Sequence, residues 1–313
     1  MDIPLRADIT GVWATILLSV DEAGEIDLSA IDRQVSAYRD AGCDGVYSGG
    51  TAAEFHLLTE PGFRAVSERT ASAARAAGMP FQIGASHPLA PDALARIAFA
   101  ASLRPAAIQV TLPDWTPIDF ATARRFMEGA AAAAGNVPLV LYNPPHAKTV
   151  LSPDQLLALC ETVPSLVGLK CAGGDAGWYA AMAPVLAAIS VFIPGHHYAS
   201  GTRMGAHGSY SNMACLSPAA AVRWARLART DPAAAANLEA RIAAFMDEAI
   251  APILAAGHPG FVCDKAMAAA SGWTTISPRL LWPYTSASEK AVDRIARAAR
   301  RHIPEFAETV DAR

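Results

Sequence analysis

Charge is the scarcest commodity in this chain. Of its 313 residues only 17% are Asp, Glu, Lys or Arg, and neither sign dominates: 25 basic residues face 29 acidic ones, a net charge of −4. That balance gives no overall attraction to nucleic acid or to an anionic membrane. Hydrophobic residues make up 52% and mean hydropathy is +0.23, which excludes a disordered, charge-rich chain. The five cysteines (Cys43, Cys160, Cys171, Cys215 and Cys263) are odd in number and contain no C-x-x-C pair. This excludes a disulfide frame and a zinc ribbon, and reads as buried thiols in a reducing, cytoplasmic setting. Met1-Asp2-Ile3-Pro4-Leu5-Arg6 shows no basic region before an apolar run, so no signal peptide is expected. A charge-free stretch, Ala176 to Thr202, is long enough to span a bilayer. Pro184, Pro194, Gly195, His196 and His197 interrupt it, however, and it reads better as a helix over Ala176–Ala188 followed by a strand over Ser190–Ile193.

What the chain does contain is a repeated alternation of short apolar runs with alanine-rich helical stretches. Gly11–Leu18 precedes a helix at Ser29–Ala41, where Ile31, Val35 and Tyr38 recur at helical spacing. Further pairs follow: Asp44–Ser48 with Glu60–Ala77, Phe81–Gly84 with Pro91–Ser102, and Ala106–Thr111 with Ile118–Ala133. Next come Pro138–Tyr142 with Ser152–Cys160, and Leu166–Lys170 with Asp175–Ala188. Val191–Ile193 with Ala199–Gly205, and Gly208–Ser211 with the helix after Pro218, complete the set. Continuously apolar strands are those of a parallel sheet covered on both faces. Eight βα units in about 220 residues predict an α/β fold closed as a (β/α)8 TIM barrel. An open doubly wound sheet is the runner-up. It usually carries G-x-G-x-x-G after its first strand, where this chain has Ser19-Val20-Asp21-Glu22. The expected division is a barrel over 1–220 and a C-terminal helical extension over 221–313, with helices at Ala220–Arg229, Pro232–Ala255, Gly260–Ala270 and Ser288–Arg301. The basic run Arg294 to Arg301 reads as a solvated helix face, with Glu305, Glu308 and Asp311 close behind it.

Active sites of such barrels lie at the C-terminal ends of the strands, so the last residues of each run are the place to search. The sixth run ends at Lys170, and a lysine closing an apolar strand is costly unless paired or neutral. Desolvation lowers an amine's pKa and exposes its nucleophilic lone pair. The fifth run ends at Tyr142, on the neighbouring strand about 4.8 Å away, where a phenol is placed to relay protons. A snorkelling lysine and an ordinary Tyr-Asn-Pro-Pro turn are the plain alternatives. The second run ends in Gly49-Gly50-Thr51-Ala52, where free backbone N–H groups and the Thr51 hydroxyl suit a carboxylate.

Together these features resemble the dihydrodipicolinate synthase / N-acetylneuraminate lyase family of Schiff-base-forming barrels. Gly50-Thr51-Ala52-Ala53-Glu54 is similar to its Gly-Thr/Ser-Thr-Gly-Glu, Tyr142-Asn143-Pro144-Pro145 to its Tyr-Asn-x-Pro, and Gly168-Leu169-Lys170 to its Gly-[Ile/Leu/Phe]-Lys. Ile193-Pro194-Gly195 and Gly205 to Asn212 resemble the family's last two strand loops. The resemblance implies that Lys170 forms the Schiff base and Tyr142 relays protons. By the same reasoning Gly50, Thr51 and Ala52 hold a 2-oxo acid carboxylate, and Gly195 and Tyr210 line the pocket. It further implies a lyase (aldolase or dehydratase) acting on pyruvate or a 2-oxo-3-deoxy sugar acid, with no cofactor and no metal, assembled as a homotetramer. The departures bear on the substrate. Ala52 replaces a hydroxyl residue, and Thr111-Leu112-Pro113-Asp114-Trp115 lacks the synthase's intersubunit tyrosine. Ala147 stands where the synthase has a substrate-binding arginine. These favour a sugar-acid-like substrate, met by Asp114, His56, His146, Lys148 and His196, over 4-hydroxy-tetrahydrodipicolinate synthase activity. A non-catalytic 2-oxo-acid-binding regulatory barrel is a further alternative. A metal enzyme using His56, His196 and His197 has no ligand spacing behind it.

Overall fold

Each of the eight predicted apolar runs forms a strand, and the strands pair in parallel, in sequence order, until the eighth meets the first. The computed structural model describes residues 9–307; Met1 to Arg6, Glu308 and Asp311 lie outside them. The strands are β1 (Gly11–Thr15), β2 (Gly45–Ser48), β3 (Phe81–Gly84), β4 (Ala107–Thr111), β5 (Leu139–Asn143), β6 (Leu166–Cys171), β7 (Ser190–Pro194) and β8 (Gly208–Tyr210). Between them run α1 (Ser29–Ala41), α2 (Glu60–Ala76), α3 (Ala90–Ser102), α4 (Phe120–Ala134), α5 (Pro153–Thr162), α6 (Ala176–Ala188) and α7 (Tyr198–Arg203). The chain is a TIM barrel with C-terminal helices: α8 (Met213–Leu216), α9 (Pro218–Thr230), α10 (Pro232–Phe245), α11 (Ala251–Ala255), α12 (Gly260–Ser271) and α13 (Glu289–His302).

Two cores result, because each strand presents alternate side chains to opposite faces. The larger lies between strands and helices and is made of Leu, Ile, Val, Met and Ala. The smaller fills the barrel with Trp13, Tyr47, Val140, Val167, Phe192 and Tyr210. Helix starts are set locally. Ser152 and Gln155 form a reciprocal capping box on α5, and the Asp175 carboxylate accepts the Trp178 N–H at the start of α6.

The boundaries depart from expectation where backbone chemistry intervenes. The first apolar run leaves the sheet after Thr15, because the Leu17 N–H turns away to the Gln34 side chain at 2.9 Å. The helix expected over Pro232–Ala255 is broken by a wide π turn at Met246–Ile250, where the Ala251 N–H reaches back to the Met246 carbonyl. Pro252 has no N–H to continue the regular ladder, and its ring crowds the preceding turn. Residue 220 falls inside α9, which packs on α1 and β1 as part of the outer helical ring. Of the later helices, α12 has the decisive position. It packs against α8 and against the turn Thr51–Ala53 at the end of β2, on the mouth side of the barrel.

Candidate active site

Lys170 and Tyr142 are direct register partners on β6 and β5, one residue from the end of each strand. The Lys170 Nζ lies 4.2 Å from the centroid of the Tyr142 ring, 5.0 Å from that of Tyr47 and 5.2 Å from that of Tyr210. Three aromatic walls replace most of the water an ammonium needs, and burial therefore pushes the lysine pKa down to about 8; the Asp264 carboxylate opposes the shift. About a tenth of the amine is then free at pH 7, against less than about a thousandth for an ordinary lysine. The same ring faces would attract the positive charge of a protonated imine formed at that nitrogen.

Burial raises the Tyr142 phenol above its usual range, a hydrogen bond with Thr51 draws it partly back, and Asp264 pushes it up again. The phenol is thus protonated at neutral pH. Its bond with Thr51 ties the end of β5 to the loop after β2. Tyr210 stands differently: its hydroxyl donates to Gln82 Oε1 at 2.6 Å inside the barrel, so only its ring is turned to the amine.

These groups open into a cavity of about 910 Å³ lined by Thr51, Ala52, Tyr142, Lys170 and Tyr210. Two further predicted residues act by their lack of a side chain. A β-carbon at Gly50 would come within 2.8 Å of the Tyr47 ring, and one at Gly195 within 2.4 Å of Ser211 Oγ. Each glycine lets a strand-end turn sit against its neighbour. His56, Asp114, His146 and His196 line the same cavity. Lys148 enters through its backbone, whose N–H donates to Asp114 Oδ1 at 2.6 Å. Burial, with help from His197, lowers His196 to about 4 against the pull of Asn212, and burial lowers His56 as well, so both imidazoles are neutral at pH 7. Among the described residues no group of three or more His, Cys, Asp or Glu is gathered as a metal site, and no helix is long and apolar enough to cross a membrane. A second cavity of about 740 Å³ runs along α7 and α10, sharing His196 and Met246 with the first, and brings no lysine or tyrosine together.

One contributor was not foreseen. Asp264, on α12, lines the cavity together with Lys170 and Tyr142. Burial raises its carboxyl to about 6, and Lys170 partly reverses the effect. The next residue, Lys265, turns the other way: fully buried, it meets the equally buried Glu54 at 2.7 Å, while the Leu281 N–H donates to the other Glu54 oxygen at 2.7 Å. Asp264 and Lys265 are the sole charged residues of α12, an anomaly visible in the sequence as Cys263-Asp264-Lys265-Ala266. Nothing local said which strand end they would face.

Residues 8–301 match the Dihydrodipicolinate synthetase family. The chain belongs to that family. An uncharacterized DapA-like lyase of Halobacterium salinarum is 29% identical over 173 residues, covering 54% of this chain and 55% of that protein. The chain thus spans about half the length of the curated relatives it matches. Among solved structures, YagE of E. coli K12, a prophage protein of the dihydrodipicolinic acid synthase family crystallised with pyruvate, superimposes with a TM-score of 0.83 at 18% identity, covering 93% of this chain and 98% of that one. A Ruminococcus gnavus sialic acid aldolase, a catalytic lysine mutant, gives 0.82 at 16% identity, covering 97% of each. At such identities these likenesses establish the family's barrel and leave the chemistry to the residues.

Proposed function

We propose that the protein is a lyase that forms a Schiff base between Lys170 and a 2-oxo acid, cleaving or dehydrating a sugar-acid-like substrate. The observation that carries this is the Lys170 amine itself: enclosed by three tyrosine rings, in ion-pair contact with no carboxylate among the described residues, and beside a phenol. In this reading the Thr51 hydroxyl and the Ala52 N–H hold the carboxylate, and the free amine adds to the C2 carbonyl. Tyr142 passes a proton to the departing hydroxyl, water leaves, and the iminium draws electrons from C3. The resulting enamine equivalent is shared by carbon–carbon cleavage and by loss of a C4 hydroxyl.

The lysine supplies the electron sink, so the reading calls on no cofactor or metal. YagE, the structural relative crystallised with pyruvate, supports the choice of a 2-oxo acid. The wide mouth, with two neutral imidazoles and Asp114 in its wall, fits a hydroxylated chain. Ala147 at the position of the synthase's arginine weighs against aspartate semialdehyde as the second substrate. The homotetramer implied by the family resemblance and a cytoplasmic location complete the proposal; sedimentation of the purified protein checks the first.

Incubation with pyruvate and borohydride, followed by peptide mass spectrometry, tests the central step. A reduced adduct on Lys170 is expected, and its absence with every 2-oxo acid tried overturns the reading. A panel of 2-oxo-3-deoxy sugar acids, scored for pyruvate release against dehydrated product, then separates aldolase from dehydratase. An adduct without turnover of any of them favours the binding-only barrel.

A further inference from the structure

The Schiff-base reading leaves one proton without an owner. Both cleavage and dehydration pass through an enamine, and interconverting iminium and enamine moves a proton on or off C3. Tyr142 is poorly suited as the base, because its phenol is raised above its usual range and already bonded to Thr51. The thiols nearby are worse: burial lifts Cys171 and Cys263 to about 12 and raises Cys215 well above the ordinary thiol value. His196 is engaged with Asn212, while His56 sits among the Phe55, Phe261 and Tyr284 rings. Asp114 is held by the Lys148 N–H at the exposed rim.

We propose that Asp264, delivered to the barrel mouth by the C-terminal extension, is the catalytic base that removes the C3 proton of the Lys170-bound substrate and returns it. The inference rests on the Schiff-base reading. Asp264 lines the same cavity as Lys170, and no hydrogen bond or ion pair among the described residues engages its carboxylate. The groups facing it are Lys170 from β6, Tyr142 from β5, Tyr47 from β2, Cys215 from α8 and Cys263 from its own helix. All but Lys170 are neutral at pH 7, and Lys170 becomes the iminium. The carboxyl, raised to about 6, is ionised at pH 7 yet basic enough to hold a proton briefly.

The step balances. The C3–H bond breaks and its proton joins the Asp264 carboxylate. The freed pair becomes the C2–C3 double bond, and the former C=N π pair settles on nitrogen as the neutral enamine. The reverse transfer regenerates the carboxylate. The buried contact of Lys265 with Glu54 is the positioning device: it locks α12 to the carboxylate loop, and the adjacent Asp264 is thereby aimed at the amine.

Pyruvate in deuterium oxide tests this without knowledge of the natural acceptor, since methyl exchange followed by NMR reports the C3 proton alone. The wild-type protein is expected to exchange pyruvate protons with a rate that climbs as pH rises through about 6. Asp264→Asn should still give the borohydride adduct on Lys170 but exchange at least 30-fold more slowly per adduct, without that rise. Asp264→Glu should retain measurable exchange. An Asn variant that forms the adduct and exchanges at the wild-type rate overturns the assignment and leaves the Schiff base standing. An Asn variant that loses the adduct as well places Asp264 in imine formation or in holding the site, which also overturns it. No adduct on the wild-type protein removes the underlying reading, and this inference with it.

Discussion

Two lysines among the described residues are drawn into the protein, Lys265 wholly and Lys170 in part, and they are treated in opposite ways. Lys265 is fully enclosed and held at 2.7 Å by Glu54, whose second oxygen is taken by a backbone N–H. Lys170 is enclosed by aromatic rings, and its nearest influential anion, Asp264, does not touch it. Burial lowers the pKa of both, but at Lys265 the charge and hydrogen bond of Glu54 work against the shift. A paired buried lysine is a strut. An unpaired one among rings is a nucleophile, because the site withholds from its ammonium the solvation that water or a carboxylate would give.

Exchanging the two amines for apolar groups should separate these roles most sharply. Lys170→Met is expected to abolish the borohydride adduct and cut turnover about 10³-fold or more while lowering stability by less than about 1 kcal/mol. A folded variant that keeps turnover would end the distinction. Lys265→Met should do the reverse. Stranding the buried Glu54 carboxylate costs about 3–5 kcal/mol, read by urea denaturation, while adduct formation per folded molecule persists. Next in size is Tyr142→Phe, which should slow adduct formation about 10²-fold, measured by quenching with borohydride over time.

Smaller effects sharpen the same contrast through pH. Adduct formation in the wild-type protein should rise with pH around a midpoint near 8, because the free amine, not the ammonium, attacks. In Asp264→Asn that midpoint should move lower, since the carboxylate holds the amine up. Asp264 also carries a stability cost. Its folded pKa of about 6 exceeds the ordinary 3.8, so the folded state binds more protons between those values and loses stability as pH rises through them. Asp264→Asn should therefore stabilise the protein by about 1–3 kcal/mol at pH 7, with the gain fading towards pH 4. Thermal unfolding at both pH values checks it; a destabilised variant at pH 7 would contradict the burial argument.

Most of the barrel was readable because each strand and helix is announced by its own residues. Ile31, Val35 and Tyr38 mark the buried face of α1, and Ser152 with Gln155 marks where α5 begins. Lys170 and Tyr142 were readable for a related reason: they are strand ends, and parallel order makes the ends of β5 and β6 neighbours. The break at Met246–Ile250 was missed because helical periodicity runs straight across it, and the effect of Pro252 depends on what the wider turn packs against. Asp264 was missed because no short-range pattern says which distant cavity a helix will roof.

The sequence alone thus determined the eight βα units, the strand-end amine and phenol, and the glycines behind them, since apolar period, turn chemistry and chain order act over a few residues or between adjacent strands. Only the tertiary structure decided that α12 would lie against Thr51–Ala53, with Lys265 turned into Glu54 and Asp264 into the cavity. That choice joins positions more than 200 residues apart. It is set by burying an ion pair and an apolar helix face together, a balance of desolvation and packing that exists only once the barrel has closed.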